Sequence, residues 1–140
     1  GIGMEVIAWN RSPRPDAPLV ALDELLARSD VISMNLTLND ETRGFLGEAE
    51  FARMRPGVIF VNTARAALVD EAAFVDALTS GRIRHAGLDV FHVEPLDPHN
   101  PLARLDNVTL TAHAAFRTLE ASMTLLRRAI DIVCDIVTTA

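Results

Sequence analysis

Polar side chains stand directly after short apolar runs at Asn10, Asn35, Asn62 through Arg65, Asp89 and His113. Their types could do chemistry. An imidazole titrates near neutral pH, at roughly 6.5 unperturbed, and can pass a proton in either direction. A guanidinium offers a planar fork that pairs with a carboxylate and polarises a neighbouring carbonyl. A carboxylate that ends an apolar run, as at Asp89, is costly there unless it is hydrogen-bonded. Position alone does not separate these groups from ordinary turn residues, because polar side chains follow strands wherever turns are solvated.

The elements that would position them read as alternating strands and helices. Met4 to Trp9 is a short apolar run, predicting a strand, and Asn10 to Pro18 carries three prolines that forbid regular structure. Leu22 to Ala27 has helical spacing, Asp30 to Met34 is β-branched and apolar, and Glu48 to Met54 predicts a short helix. Val58 to Val61, His85 to Phe91 and Val108 to Thr111 are further strands, the last two separated by the proline-rich segment Glu94 to Pro101. Asp70 can cap a helix running to about Ser80, and Gly81 suits the left-handed position that ends one. Leu119, Met123, Leu126, Ile130, Val133 and Val137 recur at three- and four-residue steps, a long amphipathic helix read as core packing. The fold class expected is α/β: a Rossmann-like, doubly wound parallel sheet, covered on both faces and ligand-binding at the carboxyl ends of its strands.

Bulk properties narrow the function classes. The 140 residues suit one domain, and a hydrophobic fraction of 49% with six Phe, one Trp and no Tyr implies a core of Ala, Val, Leu and Ile. A net charge of -6 with no basic run disfavours nucleic acid. The single Cys134 has no disulfide partner and reads as a buried apolar residue in a reducing cytoplasm. No apolar run reaches bilayer length, and Gly1-Ile2-Gly3-Met4 lacks the basic start of a signal peptide, so a cytoplasmic protein without a membrane partner is expected. His85, His92 and His99 show no metal-ligand spacing, and no metal is assigned.

From Arg55 to His113 the chain reads RPGVIFVNTARAALVDEAAFVDALTSGRIRHAGLDVFHVEPLDPHNPLARLDNVTLTAH. The NTAR segment, the LVDE helix start, the GLDVF strand end, the EPL turn, the NPLARLDNVTLT run and the closing histidine resemble, in order, the D-isomer-specific 2-hydroxyacid dehydrogenases. Upstream, DVISMNLTLNDETRGFLGEAEFARM looks like the same family's preceding strand, loop and short helix. The resemblance implies an NAD(P)-dependent oxidoreductase that interconverts 2-oxo acids and D-2-hydroxy acids by hydride transfer, of glyoxylate or hydroxypyruvate reductase type. It implies that Arg65 binds the substrate carboxylate, that His113 is the acid/base, and that Glu94 hydrogen-bonds the histidine and fixes its tautomer. It further implies that Asp89 holds the nicotinamide carboxamide, and that Asn10, Arg11, Ser12, Asn35, Leu36, Thr63, Ala64 and Arg65 surround the cofactor. Asn62, Thr63 and Ala64 act there mainly through backbone atoms, so their side chains should tolerate substitution better than Arg65.

Departures from the family pattern qualify that picture. The family carries a G-x-G-x-x-G turn and helix ahead of the strand equivalent to Met4 to Trp9, and only Gly1-Ile2-Gly3 stands here. Residues 1–116 are therefore read as a nucleotide-binding domain lacking its first strand and Gly-rich helix, and 117–140 as a helix that packs back towards an absent substrate domain. The first strand ends in Trp9-Asn10-Arg11-Ser12 with no acid for the ribose hydroxyls, and Arg11 suits a 2′-phosphate, so NADP is favoured over NAD. Ala66 replaces the glycine usual after the arginine, which would shift the backbone if that position needs a glycine conformation. A small 2-oxo acid is the expected partner, with a homodimer when full length. The alternatives are a dinucleotide-binding, corepressor-like module of the C-terminal-binding-protein type, or an inactive fragment with a structural role.

Overall fold

The computed structural model describes residues 3–14 and 17–139. Gly1 and Ile2 of the expected Gly-Ile-Gly turn, Pro15 and Asp16 of the proline-rich loop, and Ala140 lie outside the described residues.

Four parallel strands form one sheet in sequential order: β1 (Val31–Met34), β2 (Val58–Asn62), β3 (Ile83–Leu88) and β4 (Val108–Leu110). Helices α1 (Leu22–Arg28), α2 (Glu48–Arg53) and α3 (Glu71–Thr79) make the connections, and α4 (Leu119–Thr139) closes the chain. Each helix has a local cause. The Asp70 carboxylate accepts the Ala73 N–H at 2.9 Å and opens α3, and Gly81, at φ 75°, ends it where a side chain would be strained. The Gly47 N–H at the start of α2 donates to the Glu50 carboxylate at 3.0 Å.

The period-2 rhythm of the strands decides the layers. Ile32 and Met34 of β1, Val58 and Phe60 of β2, and Ile83, Ala86 and Leu88 of β3 are all buried against the helices. Phe51 of α2 and Phe74 of α3 meet Phe60, with ring centroids 6.4 and 5.2 Å from it, so one aromatic cluster locks the helical layer to the central strand. This Rossmann-like architecture, parallel sheet and long final helix, is the fold class the sequence predicts. Sequential strand order with right-handed crossovers places α1 to α3 on a single face. On the other face the side chains of Val31, Ser33 and Thr109 are exposed and those of Ile59, Val61 and His85 only half-buried, so this face is not covered as the sequence reading expects.

Three further expectations change. Met4 to Trp9 does not form a strand; its single ladder contact is the parallel bridge between Ala8 and Leu19, because its other edge has no neighbour. β3 begins at Ile83, where pairing to Val58 starts, and ends at Leu88 before Asp89 turns into the loop. All described side chains of α4 are exposed, including Leu126, Ile130 and Cys134, so among the described residues this helix is not core and its cysteine is not buried. Among the described residues no helix is long and apolar enough to cross a membrane, and no group of three His, Cys, Asp or Glu residues gathers as for a metal.

Candidate active site

Three adjacent strands release their chains at one end of the sheet. Asn62 of β2 pairs with Leu88 of β3, and Leu88 pairs with Leu110 of β4, so Thr63–Arg65, Asp89 and Thr111–His113 leave the sheet side by side. The Asp89 N–H still donates to the Asn62 carbonyl at 3.0 Å, and the Thr111 N–H to the Leu88 carbonyl at 2.9 Å, prolonging both ladders by one bond.

Asp89 is 2% exposed, and its carboxylate accepts three hydrogen bonds, all from the segment Thr111–Ala115. Oδ1 accepts the Thr111 hydroxyl at 2.6 Å and the Ala114 N–H at 2.8 Å, while Oδ2 accepts the Ala115 N–H at 2.8 Å. Burial pushes this carboxyl up, but the bonds from Thr111, Ala115 and Ala114, with the nearby His113, outweigh it and hold the group below its ordinary value. A buried charge with three donors is stable where an unpaired one would not be. In this structure Asp89 fastens the turn that carries His113.

That turn is strained at its centre. His113 sits at φ 50°, the left-handed region, which costs a residue with a Cβ on the order of 1 kcal/mol. The conformation aims the imidazole at Glu94: Nδ1 lies 2.7 Å from Glu94 Oε2, with the two side chains 40% and 38% exposed. Glu94 is held in turn by the Phe91 N–H, which donates to Oε1 at 3.0 Å. The bond to His113, then that from Phe91, pulls the Glu94 carboxyl below its ordinary value. A carboxylate can only accept, so Nδ1 carries the proton and Nε2 is the nitrogen left for a reacting group. Among the described residues Nε2 has no hydrogen-bond partner.

Arg65 follows β2 in extended conformation, exposed, with Nη1 donating to the Ala64 carbonyl at 2.6 Å. Its backbone is braced from within by Asn62, which is 2% exposed: its Nδ2 donates to the Arg65 carbonyl and its Oδ1 accepts the Ala64 N–H, both at 3.0 Å. The expectation that the Asn62 side chain tolerates replacement does not fit this arrangement. Ala66 opens a short 3-10 turn, Ala66–Leu68, and His113 is the only described non-glycine residue with positive φ. The methyl of Ala66 therefore distorts nothing, and the glycine conformation is not needed.

Of the remaining predicted residues, Asn35 and Leu36 leave β1 beside Thr63, because Met34 pairs with Asn62, while Asn10 to Ser12 follow the Met4–Trp9 segment. Asn35 follows β1 and donates to the Ser33 carbonyl and hydroxyl at 3.2 Å, while Leu36 packs on the core. Asn10 donates to the Ser12 carbonyl at 2.9 Å, and Arg11 forms an ion pair with Glu41. Glu41 stands on a fixed turn: Asn39 Oδ1 accepts the N–H groups of Glu41 and Thr42, and the buried Thr42 hydroxyl donates to the Thr37 carbonyl at 2.7 Å. Thus Glu94 and His113 are in contact, Asp89 touches the His113 turn, Arg65 leaves the neighbouring strand, and Asn10 to Ser12 stand apart. Sequence reasoning missed Thr111 and Glu41, and gave Asn62 a role through its backbone rather than through its buried side chain. Thr111, two residues before His113, gave a weak signal; Glu41, thirty residues from Arg11, gave none.

Comparison with known proteins places the chain in a family. Residues 1–115 match the model of the D-isomer specific 2-hydroxyacid dehydrogenase NAD binding domain. The chain is 50% identical over 125 residues to the D-3-phosphoglycerate dehydrogenase of Mycobacterium tuberculosis, covering 85% of this chain and 24% of that protein. It is 43% identical over 127 residues to the glyoxylate reductase of Aeropyrum pernix, covering 86% of this chain and 38% of that protein. It superposes, with a TM-score of 0.75 and 41% identity, on a D-isomer specific 2-hydroxyacid dehydrogenase from Xanthobacter autotrophicus solved with NADPH and MES, covering 79% of this chain and 37% of that one. The chain thus spans well under half the length of each relative.

Proposed function

Since the chain belongs to the D-isomer specific 2-hydroxyacid dehydrogenase family by its NAD-binding domain, we propose that it is the nucleotide-binding and proton-transfer half of an oxidoreductase acting on a small 2-oxo or 2-hydroxy acid. The observation that carries this reading is the 2.7 Å contact between Glu94 Oε2 and His113 Nδ1, which fixes one tautomer and leaves Nε2 to the reacting oxygen. The nicotinamide, when bound, supplies or accepts the hydride. The carboxyl ends of β2, β3 and β4 fit it, because Thr63 and Ala64 offer backbone there and Asp89 is ionised with its second oxygen accepting only one bond.

The protein's own groups divide the rest. His113, as imidazolium, donates from Nε2 to the carbonyl oxygen in reduction and takes the proton back in oxidation. Arg65 swings its guanidinium from the Ala64 carbonyl to pair with the substrate carboxylate. Glyoxylate and hydroxypyruvate are the substrate class of this reading, and the two curated relatives, named for phosphoglycerate and glyoxylate, are both named for small acids.

For the adenosine end, Arg11 supports NADP, since it is the cation next to Asn10 and Ser12 where a 2′-phosphate would arrive. Its ion pair with Glu41 supports NAD as the alternative, because the phosphate has to displace a carboxylate. Titration of NADPH and NADH into the chain, followed by nicotinamide fluorescence, tests both levels. Tighter NADPH binding that is lost in Arg11→Ala supports NADP; equal binding unaffected by that substitution leaves NAD; binding of neither overturns the nucleotide reading.

A further inference from the structure

Glu94 lies in the loop between β3 and the 3-10 turn Pro101–Arg104. From His92 to His99 every residue is exposed except Leu96, which is half-buried, so packing does little to hold this loop. Among the described residues its main-chain hydrogen bonds stay within it. The Asn100 N–H donates to the Asp97 carbonyl at 2.9 Å, and the His99 N–H to the Asp97 carboxylate at 2.7 Å. The position of Glu94 therefore depends on how the two ends of the loop are gripped. At the first end Asp89 does this, with its N–H on Asn62 and its carboxylate on the segment Thr111–Ala115.

At the second end Asn100 uses both halves of its amide. Its Oδ1 accepts the Leu102 N–H at 2.9 Å and caps the 3-10 turn, while its Nδ2 donates to Glu71 Oε1 at 2.9 Å. Both residues are half-buried, so water competes less for this bond than at a free surface. Glu71 is the first residue of α3 and stands six residues after Arg65; Asn100 stands six residues after Glu94. One hydrogen bond thus joins the exit of the loop that carries Arg65 to the exit of the loop that carries Glu94. The path from Asn100 back to Glu94 is stiff, because the Asp97 turn closes residues 97 to 100 and Pro95 and Pro98 each have a fixed φ. Beneath the join, a cavity of about 20 Å³ lies between Ala66, Glu71, Phe91, His92 and Leu102. It has room for about one water, which leaves the two loops little space to shift against each other.

We infer that Glu71 and Asn100 are positioning residues for the acid/base pair: their hydrogen bond sets the loop so that the Glu94 carboxylate meets His113 Nδ1. The tolerance is small. The Glu94–His113 contact of 2.7 Å joins two exposed side chains, and a displacement of roughly 1 Å takes it out of hydrogen-bond range. The imidazole then has no fixed tautomer, since among the described residues nothing else bonds its ring nitrogens. Neither Glu71 nor Asn100 touches the pair, so both act through the loop. This geometry stands without nucleotide or substrate, and only its use in catalysis rests on the proton-transfer function proposed for the chain.

The test labels the histidines of the 140-residue chain with 15N and reads the ratio of Nδ1–H to Nε2–H tautomer at His113, at a pH where the ring is neutral. The His113 signals are assigned by their loss in His113→Gln. Glu71→Ala removes the acceptor; Asn100→Asp keeps the cap on Leu102 and turns the donor into an oxygen facing Glu71. Each should lower the ratio at least about threefold, the worth of one modest hydrogen bond. Glu71→Gln keeps an acceptor and should leave the ratio unchanged. Glu71→Gln combined with Asn100→Asp exchanges donor and acceptor, and should restore the parent ratio. That pair has the net charge of the parent, so its recovery is not an effect of added charge. Urea midpoints establish that each variant is folded. A high parent ratio that the two disrupting variants lower by less than about threefold overturns the positioning role and leaves the proposed function intact. Failure of the exchanged pair to recover overturns it too. A parent ratio equal to that of free imidazole overturns both, and absence of nucleotide binding with the expected ratios overturns the function alone.

Discussion

The Asp89 carboxylate accepts the Ala114 N–H at 2.8 Å, so the acid that ends β3 is anchored to the residue immediately after His113. The same oxygen accepts the Thr111 hydroxyl, and its partner oxygen accepts the Ala115 N–H. The strained histidine is thus gripped on both sides by a neighbouring strand. Replacing Asp89 by Asn substitutes a donor for one acceptor and leaves at least one buried N–H unpaired. Asp89→Asn should lower unfolding stability by about 2 to 3 kcal/mol and raise amide exchange at Ala114 and Ala115. Urea denaturation with exchange measurements checks this; a loss under about 0.5 kcal/mol would refute the anchoring role.

Acid should attack the same corner. The carboxyls of Asp89 and Glu94 are both held below their ordinary values of 3.8 and 4.5. A depressed folded value contributes stability that is complete above the unfolded value and is lost as pH falls through the folded one. Stability should therefore fall below about pH 4.5, and the fall should be shallower in an Asp89→Asn, Glu94→Gln double variant, whose groups no longer titrate. Urea midpoints of parent and double variant across about pH 3 to 6 decide; parallel curves count against it.

The positive φ of His113 is separable from its chemistry. Both His113→Ala and His113→Gly lose the Glu94 contact, but only alanine keeps a Cβ in the left-handed region. The glycine variant should be at least as stable as the alanine variant, by up to about 1 kcal/mol after the entropy of its unfolded chain is set against the strain. An alanine variant more stable by that amount would show that the turn relaxes to negative φ. Thermal unfolding of the pair measures the difference.

Much of the fold was legible because it rests on local causes. The Asp70 cap, the Gly81 stop, the β-branched run of β1 and the alternation of β2 each act within a few residues, and each appears at or near its predicted bounds. What failed depended on neighbours. Met4 to Trp9 has strand composition, but a strand needs partners, and only Ala8 has one. The stripe from Leu119 to Val137 has the period of a packed helix, but periodicity cannot say whether anything lies against it. In the site, Arg65, Glu94 and His113 were readable from motif resemblance. The Asn62 brace and the Arg11–Glu41 pair were not, since both are properties of folded loops.

Asn62 offers a direct contrast between adjacent residues. Its buried amide closes two bonds on the loop that presents Arg65, whereas the Thr63 side chain is exposed. Asn62→Ala should cost about 1 to 3 kcal/mol by leaving the Ala64 N–H and Arg65 carbonyl unpaired, and Thr63→Ala under about 0.5 kcal/mol. Equal costs would return the loop to the backbone-only view. Urea unfolding of the two variants gives the comparison.

The last helix yields the opposite expectation from its sequence pattern. A core helix with Ile130→Glu would lose several kcal/mol, because a charge would enter an apolar interior. Here Ile130 is 53% exposed and Leu126 56%, so neither Ile130→Glu nor Leu126→Glu removes a buried contact. Each should change the unfolding free energy of the sheet and its helices α1 to α3 by less than about 0.5 kcal/mol. Both should reduce any self-association, since an exposed apolar stripe is adhesive and a charge within it is not. Urea unfolding at low protein concentration, with sedimentation at high concentration, separates the two effects. A loss of 2 kcal/mol or more at low concentration, roughly the cost of emptying a core site, would show that α4 is packed against the sheet in solution.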